Sequence, residues 1–292
     1  MSTVWLITGS SRGLGRHLAE AVLQAGHKLV ATARQPAQLA DLVQKYGKQV
    51  RTVALNVADP AAAPNAIQAA IDAFGRLDVV VNNAGYGNMA TIEDVTDEDF
   101  RAQIETNFYG VVNVTKAAVP VLRKQGSGHI IQISSIGGRL GTPGLSAYQS
   151  AKWAVEGFSE VLSKEVQSLG IKVTIVEPGG FRTDWGSSMT IAEIREEYKP
   201  TFAALIEWRR SNQGKERGDP AKAAQVILQI AGMEEPPLRL LLGSDAVYLA
   251  GLAAEQRAAS DEKWKSISLS TDFEDTGASE AKLAELVRMA RK

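Results

Sequence analysis

A tyrosine and a lysine four residues apart, Tyr148 and Lys152, stand near the start of a helical pattern that runs to Gly170. Four residues is just over one helical turn, so both side chains project from one face. On an ideal helix the apolar residues Val155, Phe158, Leu162, Val166 and Leu169 cluster within roughly 80°. Tyr148 falls at the edge of that stripe and Lys152 about 40° further round, so the pair flanks the buried face. A phenol has an unperturbed pKa of about 10, too high for a useful base at neutral pH. An ammonium near 4 Å, at an effective dielectric of about 20, contributes on the order of 4 kcal/mol, or about three pKa units at most. The expectation is that Lys152 brings Tyr148 toward neutrality, so that Tyr148 gives a proton to a carbonyl oxygen or takes one from an alcohol. Tyr-x-x-x-Lys alone is a common pattern whose meaning depends on its company.

A second group with chemical potential is Thr8-Gly9-Ser10-Ser11-Arg12-Gly13-Leu14-Gly15, which follows the first apolar run and opens the first helical pattern. Glycines there permit a tight turn, let backbone N–H groups approach a pyrophosphate and bring helix and strand together, while the helix N-terminus supplies partial positive charge. Gly9-Ser10-Ser11-Arg12-Gly13 also satisfies the G-x-S-x-G elbow of serine hydrolases. That chemistry needs an acid and then a histidine after later strands, whereas His129 merely precedes the fifth strand. No Gly-Lys-Ser or Gly-Lys-Thr follows the glycines, which excludes a P-loop. Where an NAD enzyme carries an acid at the end of the second strand, this chain reads Val30-Ala31-Thr32-Ala33-Arg34. The forked donors of Arg34 suit a 2′-phosphate, and Arg12 can close on it from the other side, so NADP is the expected cofactor.

These residues need a frame that carries them to one place. Strand-like runs recur at Val4–Thr8, Leu29–Ala33, Val50–Val57, Leu77–Asn82, His129–Ser134, Lys172–Glu177 and Leu238–Leu242, with helical patterns between them at about 14–25, 37–46, 61–74, 97–124, 146–169 and 220–232. Such alternation predicts an α/β fold, a doubly wound parallel sheet of seven strands joined by right-handed crossovers. Runs such as Val79-Val80-Val81 suit a sheet covered on both faces. Ligands in such sheets sit beyond the strand carboxyl ends. One catalytic domain is expected over 1–245. Phe181–Gly218, helical through Ile191–Trp208, is too long for an ordinary loop and reads as a substrate lid. Residues 246–292 form a C-terminal extension, with polar, acidic Ser266–Glu280 and a short amphipathic helix at about 279–291.

Composition narrows the function. Lysine and arginine number 32 against 33 acids, a net charge of −1, so no long-range field selects for nucleic acid or an anionic membrane. There is no cysteine, and His17, His27 and His129 lack ligand spacing, so no metal site is expected. Without a leader-like segment or an apolar run of about 20 residues, the expected location is cytoplasmic.

The glycine turn at 8–15, Asn82-Asn83-Ala84-Gly85, Ser135, Tyr-x-x-x-Lys at 148–152 and Pro178-Gly179 together resemble the short-chain dehydrogenase/reductase family, in order over about residues 3–245. The resemblance implies a Rossmann-type sheet and an oxidoreductase interconverting a ketone or aldehyde and an alcohol. It implies that Ser135 polarises the substrate oxygen, Tyr148 is the acid or base and Lys152 also holds the nicotinamide ribose. Asn107 would hold a water relaying protons from Lys152. Gly9, Ser11, Arg12, Gly13, Leu14 and Gly15 would meet the phosphates; Asn56, Val57, Asn83, Ala84 and Gly85 the adenosine side; Pro178, Gly179 and Thr183 the nicotinamide end. Asn56 stands where many members have aspartate. A homodimer or homotetramer is also implied. Leu140, Trp185, Met189 and Trp208 are expected to wall a hydrophobic or aromatic carbonyl or alcohol substrate. The competing reading is a cofactor-binding sensor without turnover, which would need the glycine turn but not Ser135, Tyr148 and Lys152.

Overall fold

The computed structural model describes residues 2–273 and 280–289. Seven strands, β1 (Val4–Ile7), β2 (Lys28–Ala33), β3 (Val50–Ala54), β4 (Val79–Asn82), β5 (Gly128–Ile133), β6 (Ile171–Pro178) and β7 (Arg239–Leu242), form one parallel sheet in the order β3-β2-β1-β4-β5-β6-β7. Its two faces are separate apolar layers, because successive strand residues point to opposite sides. Trp5 and Ile7 face α1 (Gly13–Gln24), α2 (Ala40–Tyr46) and, further along the sheet, α9 (Pro220–Ala231). Val4 and Leu6 face α3 (Ala63–Phe74), α5 (Gly110–Gln125) and α6 (Ser146–Val166). The expected fold class is therefore the observed one. Strand order reverses between β1 and β4, which opens a crevice at their carboxyl ends.

Several boundaries differ from the sequence reading. The pattern over 97–124 is not one regular helix: α4 (Asp97–Ile104) passes through a π-turn at Glu105–Tyr109 before α5. The widened turn is stabilised by Asn107, whose amide donates to the Tyr86 and Gln103 carbonyls at 2.8 Å each. In the insertion after β6, α7 (Asp184–Ser187) precedes α8 (Lys199–Asn212), so the helix begins eight residues later than Ile191. Ile191 bridges instead to Met89, and Pro200 in the first turn suits a helix start there. The insertion is closed at its neck by Arg182 N to Gly218 O at 3.1 Å and Gly218 N to Gly180 O at 3.0 Å.

A first compact unit spans Met1–Val247 and a second Tyr248–Lys292. α10 (Ser244–Leu269) leads from one into the other, and α11 (Glu280–Met289) lies in the second. Residues 274–279 of the acidic stretch, and the ends of the amphipathic pattern at 279 and 290–291, lie outside the described residues. No described helix is long and apolar enough to cross a membrane, and no metal-ligating cluster occurs among the described residues.

His129 is a structural residue of β5. Thr174 donates its hydroxyl to Pro237 O at 2.8 Å, so its oxygen accepts from His129 Nε2 at 2.9 Å, which places the ring proton on Nε2. Burial, the largest influence, and nearby Lys172 push its pKa down to about 4. The unfolded chain thus binds this proton near pH 6.5 and the folded protein resists it, so this contribution is full above 6.5 and is lost as pH falls toward 4. We expect wild-type stability in urea to fall between pH 6.5 and pH 5 by about 2 kcal/mol more than that of His129→Gln. Parallel pH dependences would show that the ring carries no such linkage.

Candidate active site

The floor of the site is a clamp between the loops leaving β1 and β4. Thr8 Oγ1 accepts from Asn83 N at 2.9 Å and Ala84 N at 3.0 Å, while Asn83 Nδ2 donates to Thr8 O at 2.9 Å and Gly9 O at 3.1 Å. Ser10 Oγ donates to Ile7 O at 2.7 Å, holding the turn against the strand it leaves. Gly9, at φ +67°, lies so near Ala84 that a Cβ there would meet Ala84 Cα at 3.0 Å. The sequence reading put Gly15 and the Asn83 side chain at the ligand. Here Gly15 is buried beneath the turn, where a side chain would run into Asn83 Nδ2 and the Gly9 carbonyl. Gly15 therefore permits the close packing, and Asn83 spends its amide on the clamp.

Above that floor lies one cleft of about 1080 Å³. From the glycine turn it is lined by Gly9, Ser11, Arg12, Gly13 and Leu14. Arg34 enters from the end of β2, Asn56 and Val57 from beyond β3, and Asn83, Ala84 and Gly85 from beyond β4. Asn107, Ser135, Tyr148 and Lys152 occupy the same cleft, with Pro178, Gly179 and Thr183 after β6. Gly15 alone of the expected site residues is absent from this wall. Neither Arg12 nor Arg34 engages a carboxylate among the described residues. Asp41, the first acid after β2, is held by Arg16.

The sequence reading missed Gln38, Tyr86 and Thr106, which also line the cleft. Tyr86 follows a strand end, a position that could have marked it; Gln38 carries no comparable signal. Of the expected substrate wall, Trp185, Met189 and Trp208 line the cleft and Leu140 does not. The chain past Ser135 makes a short turn at Ile136–Gly138, and Arg139 is drawn to the buried Glu177, which carries Leu140 aside. Phe181 and Ile206 line the cleft.

The chemical cluster sits where α6 meets the end of β5. Lys152 is buried, and its Nζ donates to Ile133 O at 2.8 Å and lies 5.6 Å from the centroid of the Tyr148 ring. Trp185 packs on the other part of that ring, with centroids 5.2 Å apart at 54°. Ser135 Oγ accepts from Gly137 N at 3.0 Å, which fixes the hydroxyl beside the phenol. Asn107 Oδ1 accepts from Tyr86 N at 3.0 Å, so with its two donated bonds this side chain holds the loop after β4 in place.

The electrostatics correct one expectation. Burial pushes the Tyr148 pKa up to about 12, with the Ser135 hydroxyl pulling the other way, and pushes Lys152 down to about 8. Desolvation of the phenolate outweighs the pull of the Ser135 hydroxyl, so Tyr148 is a protonated phenol at neutral pH. Lys152 remains largely an ammonium there.

Comparison with known proteins places this geometry. Residues 3–193 match the short chain dehydrogenase family. The oxidoreductase BOA17 of Botryotinia fuckeliana is 55% identical over 273 residues, covering 93% of this chain and 100% of that protein. A short-chain dehydrogenase from Streptomyces avermitilis has 38% identity and a TM-score of 0.87, covering 94% of this chain and 100% of that one. An alcohol dehydrogenase from Thermococcus sibiricus, complexed with 5-hydroxy-NADP, has 25% identity and a TM-score of 0.69, covering 83% of this chain and 96% of that one. With two thirds of its length in the family pattern and near-complete overlap with these relatives, the chain belongs to the short-chain dehydrogenase family.

Proposed function

We propose that this protein is an NADP(H)-dependent carbonyl reductase acting on a hydrophobic or aromatic ketone or aldehyde. The observation that carries the reading is one cleft with the buried Tyr148 and Lys152 beside Ser135 at one end and, at the other, two arginines that meet no carboxylate among the described residues. Arg12 and Arg34 offer forked donors where a 2′-phosphate would lie, and no acid at the end of β2 competes for a ribose hydroxyl. The cofactor of a related protein, 5-hydroxy-NADP in the Thermococcus enzyme, supports the same choice.

NADPH supplies a hydride from its nicotinamide when bound. The Ser135 hydroxyl holds the substrate carbonyl oxygen, and Tyr148 delivers a proton to that oxygen as negative charge builds on it. A phenol protonated at neutral pH suits reduction, since the donor is already loaded. Lys152 stabilises the tyrosinate left behind and binds the nicotinamide ribose. Trp185, tilted at 54° against the tyrosine ring, joins Met189 and Ile206 in supporting an apolar substrate body. Phe181–Gly218, closed at a narrow neck, serves as the lid over that body.

In assays with NADPH and a panel of aromatic ketones, Tyr148→Phe should lose about 10²–10⁴-fold in turnover while still binding NADPH. Turnover within twofold of wild type would remove Tyr148 from the mechanism. Arg34→Asp should weaken NADPH binding about 10–100-fold, the worth of a charged hydrogen bond of roughly 1.5–3 kcal/mol, with little change for NADH. Equal losses for both nucleotides would show that Arg34 does not read the 2′-phosphate.

A further inference from the structure

Three consecutive residues at the end of β5 each meet a side chain from one of three successive turns of α6. Ser135 stands beside Tyr148, the Ile133 carbonyl receives Lys152, and Ser134 faces Glu156. The first two pairs belong to the proton-transfer site; the third has no part in it so far. Glu156 is only 7% exposed, one turn beyond Lys152 on the same face. Its Oε2 accepts from Arg239 Nε of β7 at 3.1 Å, and the other arm of Arg239 reaches Glu160 Oε2 at 2.8 Å. Its Oε1 has no partner and, with the equally unpartnered Ser134 hydroxyl, borders the space left by Gly138, where a Cβ would stand 3.2 and 2.9 Å from them. On the far side Glu177 of β6, fully buried, is bonded to Arg139.

Two carboxylates and an ammonium inside one core carry a large desolvation cost. If the cluster served only to fasten α6 to β7, the pair between Arg239 and the more exposed Glu160 would do so without burying a second acid. Glu156 is drawn in two directions. Its pKa is raised on balance: burial, the largest influence, and Glu177 push it up, and Arg239 pulls it down. Lys152 is pushed down by burial, and the charge that opposes this is Glu156.

We propose that Glu156 is a positioning residue for the proton-transfer site: pinned by Arg239, its buried carboxylate is the counter-charge that keeps Lys152 an ammonium and sets the turn of α6 that carries it. The proposal rests on the reading above for what the ammonium does, namely hold the nicotinamide ribose. With the carboxylate gone, Lys152 gives up its proton at lower pH, and the neutral amine binds the cofactor less well. With Arg239 gone, Glu156 takes up a proton more readily, and the same consequence follows through the acid.

The test is the NADPH dissociation constant, followed by nucleotide fluorescence from about pH 6 to about pH 10. Wild-type affinity should decline as pH rises through about 8. In Glu156→Gln the decline should begin about one pH unit lower, leaving affinity near pH 8 about fivefold weaker than wild type. Arg239→Met should shift the curve in the same direction, and the double variant should shift no further than Glu156→Gln alone. Curves of unchanged shape in Glu156→Gln, accompanied only by a lower melting temperature, would make Glu156 a merely structural residue and overturn the proposal. Should Glu156→Gln fail to fold, an unshifted curve in Arg239→Met overturns it equally. Tyr148→Phe, measured alongside, separates the two ideas: its turnover tests the acid, while the binding curves test Glu156 whatever that turnover proves to be.

Discussion

Everything in this molecule that concerns chemistry depends on holding two loops together where the sheet changes direction. The chain leaves β1 and β4 toward opposite faces, and the crevice between them would be a gap without a cross-tie. Thr8 and Asn83 provide it, exchanging four hydrogen bonds through one hydroxyl and one amide. The glycine turn is fixed to the loop after β4 by this tie, and Asn107 then fixes the next stretch of that loop through Tyr86. The phosphate end and the proton-transfer end of the cleft therefore share one rigid floor. The π-turn that aims Asn107 inward is part of the same construction, an irregularity of the kind often found at functional sites.

The electrostatics of the cluster follow from that depth of burial. In water an ammonium beside a phenol would favour the phenolate; inside the protein burial makes both groups resist charge, pushing Tyr148 up to about 12 and Lys152 down to about 8. The result is a donor that keeps its proton and a neighbour that keeps most of its charge. At neutral pH the phenol therefore stands with its proton in place beside a positive charge that is fixed by the same helix.

Much of the frame was legible in the sequence because it rests on local, repeating physics. The alternation of apolar runs and helical patterns yields the seven-stranded parallel sheet, and residues just past strand ends, such as Arg34, Asn56 and Ser135, fall in the cleft. What escaped depends on contacts distant in the chain. Nothing in the segment 191–198 reveals that Ile191 pairs with Met89 and delays α8. Leu140 was placed at the substrate by spacing, yet an ion pair between Arg139 and Glu177 decides its course. Gly15 is placed at the ligand because family motifs do not distinguish a residue that lines the cleft from one that shapes the surface beneath it. The tyrosine pKa was misjudged for a related reason: a helical spacing gives the distance to the lysine but not the loss of water around both.

The narrow neck at Phe181 and Gly218 has a consequence for how such a protein can diverge. Both ends of the insertion leave the sheet at one point, closed by a pair of backbone hydrogen bonds that involve no side chain. Between those ends the insertion returns to the body at Met89, whose N–H and C=O pair with Thr190 and Ala192 at 2.8 Å each, and at Arg195, which meets Glu93 and Asp94. Divergence inside the insertion is thus confined between a backbone latch at its neck and a tryptophan resting on the reactive ring, and whatever is exchanged there must still carry both.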